Sequence, residues 1–188
     1  MRGLRTDAEA GGGLSAAVRK VLWPRGSRDD LWALVDAARD RRLYWSVVNS
    51  YLPNSCLFAG QLPEVVERVA PYVIELREDD SFTELMLSGW GRSFGVYLEC
   101  ERALAEVRHH LRTILTVTDA AGDKMLFRYY DPRVLRAYLP TCDEAELRAV
   151  FGPIRAFWME ARDSGVMLEY RFDGRRLRVV EHDVRERD

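Results

Sequence analysis

Arg128 and Asp131 are the pair of side chains in this sequence best suited by type and spacing to chemistry. They flank a junction in the stretch Met125-Leu-Phe-Arg-Tyr-Tyr-Asp-Pro-Arg-Val-Leu-Arg-Ala-Tyr-Leu-Pro140, which reads as a strand running directly into a helix. A helix N-terminus beside a guanidinium binds anions, because unpaired amides and positive charge point the same way. An enzyme or anion-binding protein would use that site to hold a negative substrate. The competing reading is structural. Asp131 is a good N-cap whose carboxylate accepts from the first-turn amides, fills the anion site itself and can pair with Arg128. Pro132 suits the first helical position, where its missing N–H costs nothing. Val134, Leu135, Tyr138 and Leu139 recur at helical spacing, and Pro140 disfavours continuation. The structural reading is the stronger one.

Other candidates are weaker still. His109 and His110 are adjacent, so on a helix they diverge by about 100° and cannot share a metal face. One is expected to meet the core edge and the other water, while His182 sits in a charged tail. The chain contains no G-x-x-x-x-G-K-[ST], G-x-S-x-G or H-E-x-x-H motif. Gly89, Gly91 and Gly95 precede a strand instead of opening a helix, which disfavours a phosphate loop. No catalytic residue, cofactor or metal site is expected. Cys56, Cys100 and Cys142 are too widely spaced for a zinc site and read as reduced, mostly buried thiols. The five tryptophans, eight tyrosines and seven phenylalanines should be mainly core, with an exposed minority marking a protein-binding surface.

Composition bounds the partners. With 47% apolar and 31% charged residues, the 188-residue chain has an ordinary globular balance. A net charge of −2 leaves no electrostatic footprint for nucleic acid. No apolar run approaches a membrane span, and the N-terminus lacks the apolar region of a secretory signal, so a cytoplasmic protein is expected.

The elements that would position these residues follow in order. Residues 1–27 read as an N-terminal arm, mobile or peripheral, with one short helix through Leu14, Val18, Val21 and Leu22. Residues 28–160 read as the α/β domain. Within it, Leu31–Asp36, Cys56–Phe58, Tyr72–Leu76 and Phe94–Leu98 are expected strands. Helices are expected over Ala37–Tyr51, from Pro63 with Val65, Val66 and Val69 inward, over Ser81–Leu87 and over Glu101–Arg112. Ser81 with Glu84 and Thr141 with Glu144 fit capping boxes, the second opening a helix with Leu147, Val150 and Phe151 inward. Ile114–Thr118 and Lys124–Tyr129 form a hairpin signal across a loop containing Asp119, Gly122 and Asp123. Ile154–Trp158 is ambiguous. Residues 161–188 read as a hairpin turning at Asp173-Gly174, followed by a solvated charged tail from Glu181. The expected fold is α/β (mixed α+β), a single domain with a mixed β-sheet flanked by helices and a C-terminal β-hairpin.

Several segments also resemble, in order, those of a bacterial family. They are Leu31-Trp-Ala-Leu-Val-Asp36-Ala-Ala, Val69-Ala-Pro-Tyr-Val-Ile-Glu-Leu76, Gly89-Trp-Gly91 and His110-Leu-Arg-Thr-Ile-Leu115, then Phe127-Arg-Tyr-Tyr-Asp-Pro-Arg-Val-Leu135 and Phe151-Gly-Pro153. The family is the type VI secretion effector chaperones, or adaptors (the Tap or TEC group), and the likeness runs from about residue 30 to about residue 158. The resemblance implies a non-enzymatic cytoplasmic adaptor that binds a cognate secreted effector and helps load it onto the VgrG spike. It supplies no catalytic residue. Its motif positions here are Phe127, Arg128, Tyr130, Asp131, Pro132 and Arg133, then Leu139 and Pro140, then Phe151, Gly152 and Pro153. They read as scaffold with a share in partner binding. Relatives often carry a sizeable C-terminal lobe, which in this compact member is reduced to the hairpin and tail after Trp158. An immunity-like partner that neutralises a toxin is a further alternative.

Overall fold

Six consecutive buried residues, Leu31–Asp36, form β1, the third strand of a seven-stranded sheet. In the computed structural model, which describes residues 7–24, 30–118 and 121–185, the chain is built around this strand. The expected arm residues 1–6 and 25–27, loop residue Asp119 and tail residues 186–188 lie outside the described residues.

The sheet also contains β2 (Asn54–Cys56), β3 (Pro71–Glu75), β4 (Gly95–Glu99), β7 (Ala156–Glu160), β8 (Val166–Phe172) and β9 (Leu177–Asp183), in the order β2-β3-β1-β4-β7-β8-β9. Two short strands, β5 (Thr116–Thr118) and β6 (Lys124–Leu126), form a separate hairpin. Residues of β1, β3, β4 and β7 are buried on both faces, which is why they read as continuous apolar runs instead of alternating ones. The mixed α+β class therefore holds.

The pairing is antiparallel throughout, not mixed. The physical reason lies in strand order. Both β3 and β4 run opposite to β1, hence parallel to each other, and α4 (Ser81–Ser88) carries the chain from one to the other. That is the strand–helix–strand alternation visible in the sequence, but β1 sits between the two parallel strands and turns each contact antiparallel.

Each face of the sheet carries its own core. On one face, Leu31, Ala33, Val35, Tyr72, Ile74 and Trp158 pack against α1 (Asp7–Leu22), α2 (Arg41–Val48) and α4. On the other, Trp32, Leu34, Val73, Leu98 and Phe157 pack against α5 (Leu104–Thr113), α6 (Pro132–Tyr138) and α7 (Glu144–Phe151). The alternation of adjacent strand residues between the two cores is the pleat read directly.

Several local expectations shift. The N-terminal helix is longer than expected and is not peripheral: Val18, Leu22 and Trp23 are buried in the first core. The expected Ala37–Tyr51 helix is interrupted at Asp40, which caps α2 after a 3-10 turn over Ala37–Arg39. The caps of α4 and α7 are Asp80 and Asp143, next to the expected Ser81 and two residues past Thr141. Asp143 forms a full capping box with Glu146. The expected helix after Pro63 is one turn, α3 (Glu64–Glu67), and leaves Val65 and Val69 exposed instead of inward. The ambiguous Ile154–Trp158 resolves as the approach to and body of β7. The C-terminal hairpin turns at Asp173-Gly174 as expected, with Gly174 at φ +93°, but β9 continues into the charged segment and Val184 is buried.

Candidate functional site

The junction singled out by sequence is shorter as a strand and richer as a clasp than its pattern implied. β6 ends at Leu126, and Phe127–Tyr130 cross to α6 as a linker, with Tyr129 and Tyr130 buried. The two rings meet edge-on at 5.9 Å, and Phe127 packs edge-on against Tyr138 at 4.6 Å. Their burial forces the backbone out of the strand, because both consecutive rings must enter the core.

Asp131 is the N-cap of α6 as expected, and Pro132 occupies its first turn. Its carboxylate is 2% exposed. Oδ1 accepts from the Arg133 amide and from Arg133 Nε, both at 2.9 Å, and Oδ2 accepts from Arg133 Nη2 at 2.6 Å. Burial works to raise the Asp131 pKa, but the Arg133 guanidinium and amide, aided by Arg128, outweigh it and hold the carboxyl below its usual range.

Arg128 is half-exposed, and its nearer partner is not Asp131, at 3.7 Å, but Asp36, at 2.8 Å. Asp36 is the buried last residue of β1, and its other oxygen accepts from the Ala38 amide at 3.2 Å. Thus the ion pair ties the end of β1 to the entrance of α6. Sequence reasoning missed this partner. The available signal was an acid ending a buried strand, which requires a counter-charge.

The remaining resemblance segments meet in similar clasps. Tyr129 donates through its hydroxyl to the Leu111 carbonyl at 2.8 Å. Arg112 donates to the carbonyls of Cys56, Leu57 and Phe58 at 3.1, 3.0 and 2.7 Å, holding the loop beyond β2. His110 donates through Nε2 to Val150 O at 2.9 Å, and its ring lies against Gly152. Burial lowers the His110 pKa against the opposing pull of that carbonyl. His109 is exposed, so the expected division of the two histidines holds. Gly91 N and Ser93 Oγ both donate to the buried Glu160 carboxylate at 2.7 Å. Leu139 and Phe151 are core, Pro140 is exposed just past α6, and Pro153 is half-buried after the Gly152 turn.

These clasps explain the motifs as joints between distant elements. They leave little free chemistry: Asp131 and Asp36 are each committed on both oxygens. Cys100 is buried, and Cys56 and Cys142 are half-buried; burial raises all three thiol pKa values, which disfavours a reactive thiolate.

The uncommitted surface lies elsewhere. A groove of about 600 Å³ is lined by Asp40, Arg41, Arg42, Tyr44, Trp45, Ser46 and Arg68, from α2 and the end of α3. A second, of about 300 Å³, continues from Trp45 and Ser46 to Tyr51 and the start of α4. Trp45 is 48% exposed, stacks edge-on with Tyr44 at 5.0 Å and lies 5.3 Å from the Arg68 guanidinium. The expectation that an exposed aromatic minority exists is met by Trp45 and Tyr51; nothing in their spacing alone distinguished them from core.

No curated protein and no solved structure matches this chain significantly. Residues 31–149, spanning β1 through most of α7 and holding both partners of the Asp36–Arg128 clasp, match the family described as a domain of unknown function, DUF4123. The chain belongs to the DUF4123 family.

Proposed function

We propose that the chain is a non-enzymatic cytoplasmic adaptor that binds a cognate type VI secretion effector and helps load it onto the VgrG spike. The observation that carries this reading is membership of the DUF4123 family over residues 31–149, with the ordered resemblance of its motifs to effector chaperones. Two features support it. The charged residues at the sequence's best catalytic candidate are spent on holding β1 to α6, and exposed aromatic surface lies instead at Trp45 on α2 and at Tyr51 just past it. Among the described residues, no helix is long and apolar enough to cross a membrane.

Co-expression with the products of the neighbouring effector and spike genes tests the reading. A stable complex that copurifies through gel filtration is expected, and deletion of the gene should abolish effector export. Retention of neither protein overturns it. Self-intoxication on deletion, with export intact, would favour an immunity role.

A further inference from the structure

Five of the nine large apolar side chains exposed among the described residues fall between residues 45 and 69: Trp45, Val48, Tyr51, Val65 and Val69. Exposed apolar residues scattered singly need no explanation, but these lie on or just past α2 and α3, which adjoin where Arg68 leans over Trp45. Trp45 is held in place on the surface, not loose on it. Tyr44 anchors beneath it in the core, Tyr72 braces Tyr44 at 6.2 Å, and the Tyr72 hydroxyl donates to Glu67 O at 2.9 Å, fixing α3. A large ring presented at low entropic cost is the usual anchor of a protein interface.

The charge lining the first groove leans basic, while the one acid lining the second, Asp80, is the N-cap of α4. The groove lining carries Arg41, Arg42 and Arg68 against the single acid Asp40. Asp40 is already shared between Arg42, at 2.8 Å, and Arg92, at 3.2 Å. Arg42 holds its carboxyl far below the usual range by side-chain and backbone hydrogen bonds, so it stays charged and occupied. Arg68 pairs with the exposed Glu64 and leans over Trp45, while Arg41 makes no ion pair among the described residues. The protein as a whole is slightly acidic, at −2, so this basic, aromatic groove runs against the overall balance.

We infer that this groove seats a segment of the partner protein in which apolar side chains are flanked by carboxylates. This rests on the adaptor reading and names the surface and chemistry by which the adaptor would take its cargo. The apolar side chains pack on Trp45 and Tyr51, and the flanking acids meet Arg41 and Arg68. Complementary charge of this kind speeds encounter and selects partners more than it tightens binding, so the contact should weaken as salt rises.

The test uses the full chain with ¹⁵N-labelled tryptophan and two short synthetic peptides. One has leucine and phenylalanine flanked by glutamate and aspartate; the other has lysine in place of every acid. The acidic peptide should shift the Trp45 indole resonance saturably, and Arg41→Glu with Arg68→Glu should weaken it about tenfold at unchanged melting temperature. The lysine peptide should not bind. Equal binding of both peptides, binding of neither, or a still Trp45 resonance overturns the inference. So does a dimer dispersed by Trp45→Ala, which would show that a second copy covers the groove. A parallel arm separates this inference from the adaptor reading. If the neighbouring effector copurifies equally with wild type and Trp45→Ala, the groove assignment falls and the adaptor stands. If wild type retains neither effector nor spike, the adaptor falls, and the peptides still decide what the groove binds.

Discussion

Asp131 serves the amide of its own helix and a guanidinium two residues on, and these roles separate by mutation. Asp131→Ala removes both and should cost about 1–2 kcal/mol, chiefly through the lost cap. Asp131→Asn keeps a capping oxygen and loses the pair with half-exposed Arg133 and the longer contact to Arg128, so it should cost about 1 kcal/mol or less. Urea denaturation with an unchanged m-value measures both. Because the folded Asp131 pKa is depressed, the ionic contribution is present above the unfolded value near 4 and is lost as pH falls through the folded value. The gap between wild type and Asp131→Asn should therefore close in acid. His110 obeys the opposite charge logic with the same direction. Its folded pKa lies below the unfolded value near 6.5, so the unfolded chain binds the proton more readily and stability falls as pH drops from 7 to 5. His110→Gln should flatten that decline. Gly152 tests the same joint sterically. At φ +48° and ψ −116° its backbone suits only glycine, and an added Cβ would come within 2.3 Å of the His110 ring. Gly152→Ala should cost about 1–3 kcal/mol, part of it recovered in a His110→Ala background, as a double-mutant cycle would show.

At the level of elements, legibility tracked how much of each decision was local. The buried strands, the Asp173-Gly174 hairpin and the cap at Asp131 were readable because run length, turn chemistry and capping chemistry are written in adjacent residues. The caps of α4 and α7 moved by one or two positions because neighbouring Ser, Thr and Asp all fit, and the chain's entry angle chooses among them. The inward expectation for Val65 and Val69 fails for a different reason. Periodicity identifies an apolar face but not whether anything covers it, and α3 is too short to lay one across the sheet. The first turns of α1 carry three consecutive glycines, and its apolar stripe begins only at Leu14; such a short stripe does not say by itself that Val18 and Leu22 reach the core. Leu22→Ala tests that correction: a core site should cost about 2–5 kcal/mol in chemical denaturation, whereas an arm would cost under about 0.5 kcal/mol.

In the whole molecule, both cores are built on one sheet, so neither can persist once the strands part. Tryptophan fluorescence, which reports on Trp23 and Trp158 in one core and Trp32 in the other, should therefore melt together with far-UV circular dichroism. Two resolved transitions would show that the layers are independent. The candidate site was legible in reverse: the residues that stand out in the sequence, Arg128 and Asp131, hold the frame. Trp45 and Arg41 are inconspicuous in the chain, and only their exposure along the groove beside α2 sets them apart. The position of β1 also has a meaning in time. It is made before every other strand, yet it cannot be completed until β3 and β4 have been synthesised on either side of it. Its closing ion pair waits for an arginine 92 residues downstream. A chain emerging from the ribosome therefore carries a bare strand, apolar in all but its last residue, through much of its synthesis. The period of greatest aggregation risk falls before residue 99, and it is then, more than in the finished protein, that a general folding helper would matter.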